Sequence, residues 1–431
     1  MSKSLPNDER VTGLLQHAGV DRLQPEQQRF IQKQATTHRF TQQELRQLCD
    51  IAADIAMWGE GLLEQYWAND YPAGMAPKQH RKWLLDHVRG HWQKLREAPN
   101  HYPAIPVAPS RAEQRIHRVN TEKERLGLGP CPVASPRTRC CNLLTLDAVE
   151  NCGFDCSYCS IQSFYHGDEV KFDTRFPEKL AQLEIDPERF YHIGTGQSSD
   201  SLMWGNQGGI LDALLEFAAR HPNVILELKT KSKNIQHLLK RDLPNNILCT
   251  WSLNTPTLIA NEEHLTASLD DRLNAARRMA DKGVLVGFHL HPMIHYDAWQ
   301  EDYGELFQRL EETFTADEVV LVSLGTLTYI KPVIKQLRAR KGFQSKILQM
   351  PWVESDGKLS YPKEIKQEMF SFAYQALHAW HERVFFYLCM ENHDLWQPVF
   401  GFEYLTNHDF EDAMKSAYQN KIKKLNIEGE Q

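Results

Sequence analysis

The stretch "VENCGFDCSYCSIQ", residues 149–162, places three cysteines, Cys152, Cys156 and Cys159, in the spacing C-x3-C-x2-C, with no fourth cysteine close behind. A structural zinc site takes four ligands, typically in paired C-x2-C elements, and only Cys156 and Cys159 form such a pair here. An iron–sulfur cluster normally takes four thiolates. With three, a [4Fe–4S] cube keeps one iron open for another ligand. We predict that these thiols hold such a cluster, with zinc as the alternative.

The composition is that of a soluble globular protein. The chain has 431 residues, of which 42% are hydrophobic and 24% charged, with a formal net charge of -7. No apolar run approaches the roughly 20 residues that span a bilayer, and the N-terminus lacks the apolar core of a signal peptide. Nine cysteines, an odd and clustered set, do not form a secreted disulfide framework. We therefore expect a cytoplasmic protein with no membrane partner.

The pattern from residue 143 onward alternates strands with helices. Six segments that are apolar on both faces are separated by helical stretches, which is typical of a parallel sheet, either open or closed into a partial barrel. They lie at 143–150, 189–196, 223–230, 246–254, 284–293 and 318–327. In either geometry, functional groups gather at the C-terminal ends of the strands. The cysteine triplet follows the first of these strands, so it is expected at that edge.

The flanking regions differ from this core. Residues 1–98 read as helical, with Thr41 and Glu44 in the spacing of a capping box. Prolines at 98–111 mark a linker. The predicted organisation is a helical N-terminal domain, a linker, an α/β barrel and an α+β C-terminal extension, with the bounds 1–105, 106–139, 140–330 and 331–431.

Several motifs extend beyond the cysteines. The triplet, with Tyr158 before its last cysteine and its place after strand one, resembles the radical S-adenosylmethionine (radical SAM) signature. The stretches "GTGQSSDSL" (194–202), "LKTKSKNIQHLL" (228–239) and "TWSLNTP" (250–256), together with residues 268–303, resemble the spore photoproduct lyase family. The likeness is strongest to the branch from bacteria that do not form spores. It implies a radical-SAM partial (β/α)6 TIM-type barrel.

This resemblance also implies a chemistry. The cysteine-held [4Fe–4S] cluster would bind S-adenosylmethionine (SAM) and cleave it to a 5′-deoxyadenosyl radical, using an electron from a reductant such as flavodoxin or ferredoxin. Ser198 matches a residue that binds the methionyl amino group, and Lys231 and Ser252 match residues that contact the methionyl moiety. The family splits a thymine dimer in DNA, so a carbon–carbon lyase acting on a DNA lesion or modified base is expected. RNA, a peptide or a small metabolite is the alternative substrate, and a zinc-stabilised nucleic-acid-binding protein is the alternative of another class.

Two positions depart from the family pattern. Gln197 stands where the family has a cysteine that returns a hydrogen atom to the product radical, and Ser160 replaces a tyrosine of the proposed radical relay, although Tyr158 remains. Cys389 is the better candidate donor, because strand alternation turns Cys249 away from the face that carries Ser252. Tyr158 and Cys389 are accordingly the candidate catalytic residues.

A basic segment, residues 78–125, is rich in lysine, arginine and histidine against only five carboxylates. It is either a solvated helix face or a footprint for the phosphates of DNA.

Overall fold

The computed structural model of the chain describes residues 7–104, 116–131, 137–164, 167–355 and 357–429. The chain forms two compact units, which we call the helical unit (Met1–Ala112, Tyr329–Val353 and Gly357–Leu359) and the barrel unit (Glu113–Thr328, Glu354–Asp356 and Ser360–Gln431). The domain bounds expected from the sequence stay a prediction, and residues 106–115 and 132–136 of the predicted linker lie outside the described residues.

Helices are found in both units. Those of the helical unit are α1 (Asn7–Ala18), α2 (Pro25–His38), α3 (Gln42–Met57), α4 (Pro77–Glu97) and α11 (Lys331–Ala339). Those of the barrel unit are α5 (Phe176–Ala181), α6 (Ile210–Arg220), α7 (Gln236–Leu239), α8 (Pro256–Glu262), α9 (Leu269–Asp281), α10 (Trp299–Thr313), α12 (Lys363–Ala376), α13 (Trp396–Phe400) and α14 (Asn407–Gly429). Among the described residues, no helix is long and apolar enough to span a bilayer.

The helical unit is built around α3. The predicted capping box is confirmed: the Thr41 N–H donates to the Glu44 carboxylate at 2.7 Å, and the Glu44 N–H donates to Thr41 Oγ1 at 3.3 Å. These bonds satisfy two N–H groups that the first turn of a helix leaves without partners. The apolar face of α3 then packs with that of α4, burying Leu48, Ile55 and Leu84.

The strands are all short except in the barrel sheet. They are β1 (His117–Thr121), β2 (Leu128–Pro130), β3 (Leu144–Leu146), β4 (Val149–Glu150), β5 (Asp155–Cys156), β6 (Glu169–Asp173), β7 (Tyr191–Thr195), β8 (Val224–Thr230), β9 (Ile247–Ser252), β10 (Glu263–His264), β11 (Leu285–Met293), β12 (Val319–Thr326), β13 (Thr328–Ile330), β14 (Val353–Ser355), β15 (Lys358–Ser360) and β16 (Phe385–Leu388).

The barrel unit has one eight-stranded sheet in the order β16-β12-β11-β9-β8-β7-β3-β2. The six predicted strands are confirmed as β3, β7, β8, β9, β11 and β12, and each is parallel to its neighbour. At one edge β16 adds a further parallel strand, and at the other β2 adds an antiparallel one. The predicted first strand is divided, because Val149 and Glu150 pair with β6 in a separate small sheet.

The inward face of the barrel sheet carries a buried polar network. The Glu227 carboxylate on β8 accepts from Thr250 on β9 at 2.7 Å, from His289 on β11 at 2.7 Å and from His192 on β7 at 2.9 Å. Because these four side chains come from four strands, the network ties the strands together. The face of β11 that carries His289 is therefore an interior face of the barrel.

We expect the substitution of glycine by alanine to have opposite effects on stability at two positions of the barrel unit. In α10, Gly304→Ala should stabilise the fold by about 0.5–1 kcal/mol, because alanine is the better helix former and its Cβ would meet only Phe372 at an ordinary 3.7 Å. In β11, a Cβ on Gly287 would lie 2.8 Å from Leu321 Cγ, so Gly287→Ala should cost about 1–3 kcal/mol. Urea unfolding followed by circular dichroism measures both, and equal effects would contradict the packing described here.

Candidate active site

A cavity of about 240 Å³ opens at the C-terminal ends of the barrel strands. Its walls come from the loops after β7, β8, β9, β11, β12 and β16, and from the cysteine loop that follows β4. The edge at which the sequence places the functional groups is therefore the edge that carries the cavity. Its chemically active lining comprises Cys131, Cys152, Cys156, Tyr158, Cys159, Gln197, Ser199, Asp200, Lys229, Lys231, Ser252, His291 and Cys389.

All three cysteines of the triplet line this cavity. The loop that carries them is fixed by the pairing of β5 with β10, in which Cys156 lies opposite Glu263. The Ser157 N–H donates to the Glu262 carbonyl at 2.9 Å and extends this pairing. The loop is also packed closely on its other side, since a Cβ on Gly153 would lie 2.4 Å from Met203 Cε.

A buried ion pair stands behind the cysteine loop. Arg272, on α9, donates to the Glu263 carboxylate at 2.6 Å and to the Ser252 carbonyl at 2.8 Å. The Tyr158 hydroxyl donates to the other oxygen of Glu263. Burial alone would raise the pKa of Glu263, but Arg272 and Lys231 lower it below its usual value. Glu263 therefore stays ionised and holds the tyrosine in place.

The three predicted SAM contacts are placed differently. Lys231 and Ser252 line the cavity, and the Lys231 ammonium lies 5.7 Å from the centroid of the Tyr158 ring. Ser198 is buried, and its hydroxyl donates to the Val149 carbonyl at 2.7 Å, whereas its neighbours Gln197 and Ser199 line the cavity. The structure thus brings Lys231 and Ser252 to the cysteines and turns the Ser198 hydroxyl towards β4.

Sequence reasoning missed Asp200, the acidic residue inside the quoted "GTGQSSDSL". Its carboxylate accepts from the Lys231 N–H and from Thr230 Oγ1, each at 2.7 Å, and from the Met203 N–H at 2.9 Å. It thereby joins the loop after β7 to the end of β8 and sets the position of Lys231. The sequence signal that could have identified Asp200 is an acidic residue directly after two serines in a loop.

Cys389 lies on the cavity wall at the end of β16. A Cβ on Gly325 would lie 2.8 Å from the His291 ring and 2.9 Å from the Cys389 carbonyl, so only a glycine leaves room for both residues here. Burial raises the pKa of Cys389 to about 12, which keeps its sulfur as a thiol at neutral pH. Cys249, by contrast, is fully buried away from the cavity, as strand alternation predicts.

Cys131, at the end of β2, was also missed by sequence reasoning. It lines the same cavity as Cys389, although β2 and β16 are the two edges of the sheet. The sheet therefore curls until its edges approach the same space. The periodicity of the sequence does not predict this approach of the two edges, because the approach depends on the curvature of the whole sheet.

The donor set fits an iron–sulfur cluster better than a single metal ion. Three thiols from one loop share a cavity with a lysine and a serine, which suits a cluster that leaves one iron for an outside ligand. In the described part of the chain, no three His, Cys, Asp or Glu side chains converge on a point that could hold one ion.

Comparison with known proteins agrees with this geometry. The family model described as "Spore photoproduct lyase" matches residues 152–350. This part of the chain is similar to the spore photoproduct lyase family. It is 28% identical over 174 residues to the spore photoproduct lyase of Clostridium acetobutylicum, and 27% identical over 183 residues to that of a Geobacillus species. These alignments cover 39% and 41% of this chain and 51% and 52% of the relatives, so the chain spans about half the length of the curated relatives it matches.

Solved structures show the same fold for this chain. A spore photoproduct lyase complexed with a dinucleoside spore photoproduct superposes with a TM-score of 0.55 at 20% identity, covering 68% of this chain and 89% of that one. A doubly substituted mutant of the enzyme, with bound AdoMet and the dinucleoside spore photoproduct, gives a TM-score of 0.54 at 19% identity, with the same coverage of both chains. The predicted radical-SAM barrel is confirmed.

The stability of the barrel unit should depend strongly on the Arg272–Glu263 pair. Arg272→Met leaves a buried carboxylate without its partner, and we expect the free energy of unfolding to fall by about 3–5 kcal/mol. Arg309→Met is the matched control, because Arg309 pairs with Asp270 at the surface, where such pairs contribute about 0–1 kcal/mol. Adding Glu263→Gln to Arg272→Met should restore part of the loss. Equal urea midpoints for the two single variants would contradict this.

Proposed function

We propose that this protein is a radical SAM enzyme of carbon–carbon lyase type that acts on a lesion or modified base in DNA. The observation that carries the proposal is the shared cavity, in which the thiols of Cys152, Cys156 and Cys159 face Lys231 and Ser252 at the C-terminal end of the barrel. A cluster needs the thiols, and a methionyl carboxylate needs a cation beside them.

Cys152, Cys156 and Cys159 would hold a [4Fe–4S] cluster, and Lys231 and Ser252 would bind S-adenosylmethionine. When bound, these groups supply a 5′-deoxyadenosyl radical through one-electron cleavage of the sulfonium. The residues of the chain bind and orient these groups and shield the radical from water. Asp200 positions Lys231 through its backbone N–H, and the strand loops around the cavity exclude water from a reactive carbon radical.

Tyr158 acts as a positioning residue in this proposal. Its hydroxyl is held by Glu263, and burial raises its pKa well above the usual value, so it remains a neutral phenol. Its ring lies beneath the Lys231 ammonium, which keeps the cation at the cavity rather than in solvent.

Cys389 is the proposed hydrogen-atom donor. Only a protonated thiol can give up a hydrogen atom, and the raised pKa of Cys389 keeps its S–H bond intact. The S–H bond breaks homolytically, the hydrogen atom passes to the product radical, and a thiyl radical remains on Cys389. Gln197, which occupies the family's donor position, also lines the cavity, so both positions face the same substrate space.

DNA as the substrate is supported by the two solved relatives, each of which holds a dinucleoside spore photoproduct. Only some cations of the basic segment are exposed and could contact DNA phosphates. On α4, the side chains of Arg81, Lys82, Arg89 and Lys94 are exposed, whereas Arg96 is buried and bonded to the Met350 carbonyl. Arg111 and Arg115, and the side chain of Lys78, lie outside the described residues. We propose the exposed cations as phosphate contacts, and a flavodoxin or ferredoxin as the electron source.

The proposal is tested first on the cofactor chemistry. Protein reconstituted anaerobically with iron and sulfide, and reduced with dithionite, should convert SAM to 5′-deoxyadenosine. Cys156→Ala should lose bound iron and this activity by at least a hundredfold, whereas Cys249→Ala should retain both, because Cys249 is remote from the cavity. Irradiated DNA then tests the substrate: if the dimers persist while SAM is cleaved, the DNA assignment is wrong.

The donor role of Cys389 is tested by Cys389→Ala. We expect SAM cleavage to continue at a rate within a few fold of the wild type, while the yield of correctly restored product falls at least tenfold and adducts of the unquenched product radical accumulate. Mass spectrometry of the products measures this partition. Unchanged product yield in Cys389→Ala would assign the hydrogen atom to another donor.

A further inference from the structure

The helical unit contains a cavity of its own, of about 390 Å³. Residues of two separate segments line it: one runs from Arg22 to Leu62 and the other from Leu337 to Gln344. Among the described residues on its wall, four are cations, namely Arg22, Arg338, Arg340 and Lys341, and none is a carboxylate. A wall with one sign of charge concentrates ions of the opposite sign.

Two of the four cations, Arg22 and Arg338, are held in place by ion pairs with aspartates that do not line the cavity. Arg338 donates from Nε and Nη2 to the buried Asp54 carboxylate at 2.7 and 2.6 Å, and Arg22 pairs with Asp50. Each guanidinium has five N–H donors, so these pairs orient the arginines without using all of their donors. Arg22 Nε is buried and has no hydrogen-bond partner among the described residues. A buried donor of this kind is costly unless something in the cavity accepts from it.

The carboxylates near the wall are engaged by cations. Glu60 lies between Gly59 and Gly61 of the wall, but its carboxylate accepts from Lys346 at 2.7 Å. Asp54 pairs with Arg338, and Asp50 pairs with Arg22 and lies 3.4 Å from Arg338. Arg340 lies over the Phe343 ring at 3.6 Å, which holds its guanidinium against the wall.

The rest of the wall is apolar, with Met57, Leu337 and Phe343 among its side chains. A ligand that fits both the cationic and the apolar part of the wall carries an anionic group with several acceptor oxygens and an apolar or aromatic body. Arginine-rich sites suit phosphate, and cavities of about 300–1,000 Å³ hold ligands of nucleotide size.

We infer that this cavity of the helical unit is a binding site for a nucleoside phosphate. The phosphate lies among Arg22, Arg338, Arg340 and Lys341, and the base packs on the apolar wall. A free nucleotide and the terminal nucleotide of a DNA strand share this chemistry. The inference does not rest on the proposed function, since no residue of the barrel unit takes part.

Calorimetric titration of the full-length, cluster-loaded protein tests this site. Saturating SAM is present so that the barrel cavity is filled. The probes are thymidine 5′-monophosphate, thymidine and a 5′-phosphorylated ten-residue oligo(dT). We expect the monophosphate to bind at one site, and thymidine to bind at least tenfold more weakly because it lacks the phosphate.

Lys341→Gln should weaken binding of the monophosphate about fivefold, and adding Arg340→Gln should bring the loss to at least tenfold. Lys335→Gln is the matched control, because Lys335 is exposed on α11 and does not line the cavity. Arg22 and Arg338 are left intact, since their ion pairs support the fold. Oligonucleotide binding that the double variant weakens at least tenfold would assign the phosphate to DNA, and monophosphate binding without such an effect on the oligonucleotide would assign it to a free nucleotide. No binding at millimolar monophosphate, equal affinity for thymidine, or wild-type affinity in the double variant would overturn the inference.

Discussion

The fully buried ion pair between Arg272 and Glu263 is the interaction on which the candidate active site depends. Arg272 reaches from α9 to the Ser252 carbonyl at the end of β9 and to Glu263 on β10, and β10 pairs with the strand that carries Cys156. A single guanidinium thus joins a barrel strand to the cysteine loop. A buried charge pair is weak evidence of stability, but losing one partner is costly. The position of the thiols is therefore coupled to the integrity of the barrel.

The interior of the barrel also contains a buried carboxylate that is held by donors from other elements. Glu227 is surrounded by donors from three neighbouring strands, and this arrangement lowers its pKa well below the usual value although burial opposes ionisation. An apolar interior would pack equally well, but a satisfied polar network has one arrangement and fixes the register of the strands that carry it. Four of the strand ends that line the cavity, those of β7, β8, β9 and β11, belong to strands of this network.

Much of this could be predicted from the sequence. The six parallel strands could be predicted because they are predominantly apolar segments separated by helical stretches, and the cysteine triplet because its spacing is local. Asp200, Cys131 and the Arg272–Glu263 pair were not, since their partners lie far away along the chain or across the curl of the sheet. The Ser198 hydroxyl illustrates a different limit: its motif lies in a loop at the cavity, but Gln197 and Ser199 line the cavity whereas the Ser198 hydroxyl donates to the Val149 carbonyl.

If Cys389 is the donor, as proposed, the presence of an amide at Gln197 can be understood from the topology. Gln197 follows β7 and Cys389 follows β16, near opposite ends of the sheet order, yet both line one cavity because the sheet curls. A hydrogen-atom donor needs only to reach the substrate space as a protonated thiol, whichever strand carries it. The parallel strand β16 supplies such a position, and Gly325 on β12 leaves room for it beside His291. A curled parallel sheet can therefore move its donor from one strand end to another while the cluster, the cation and the fold stay in place.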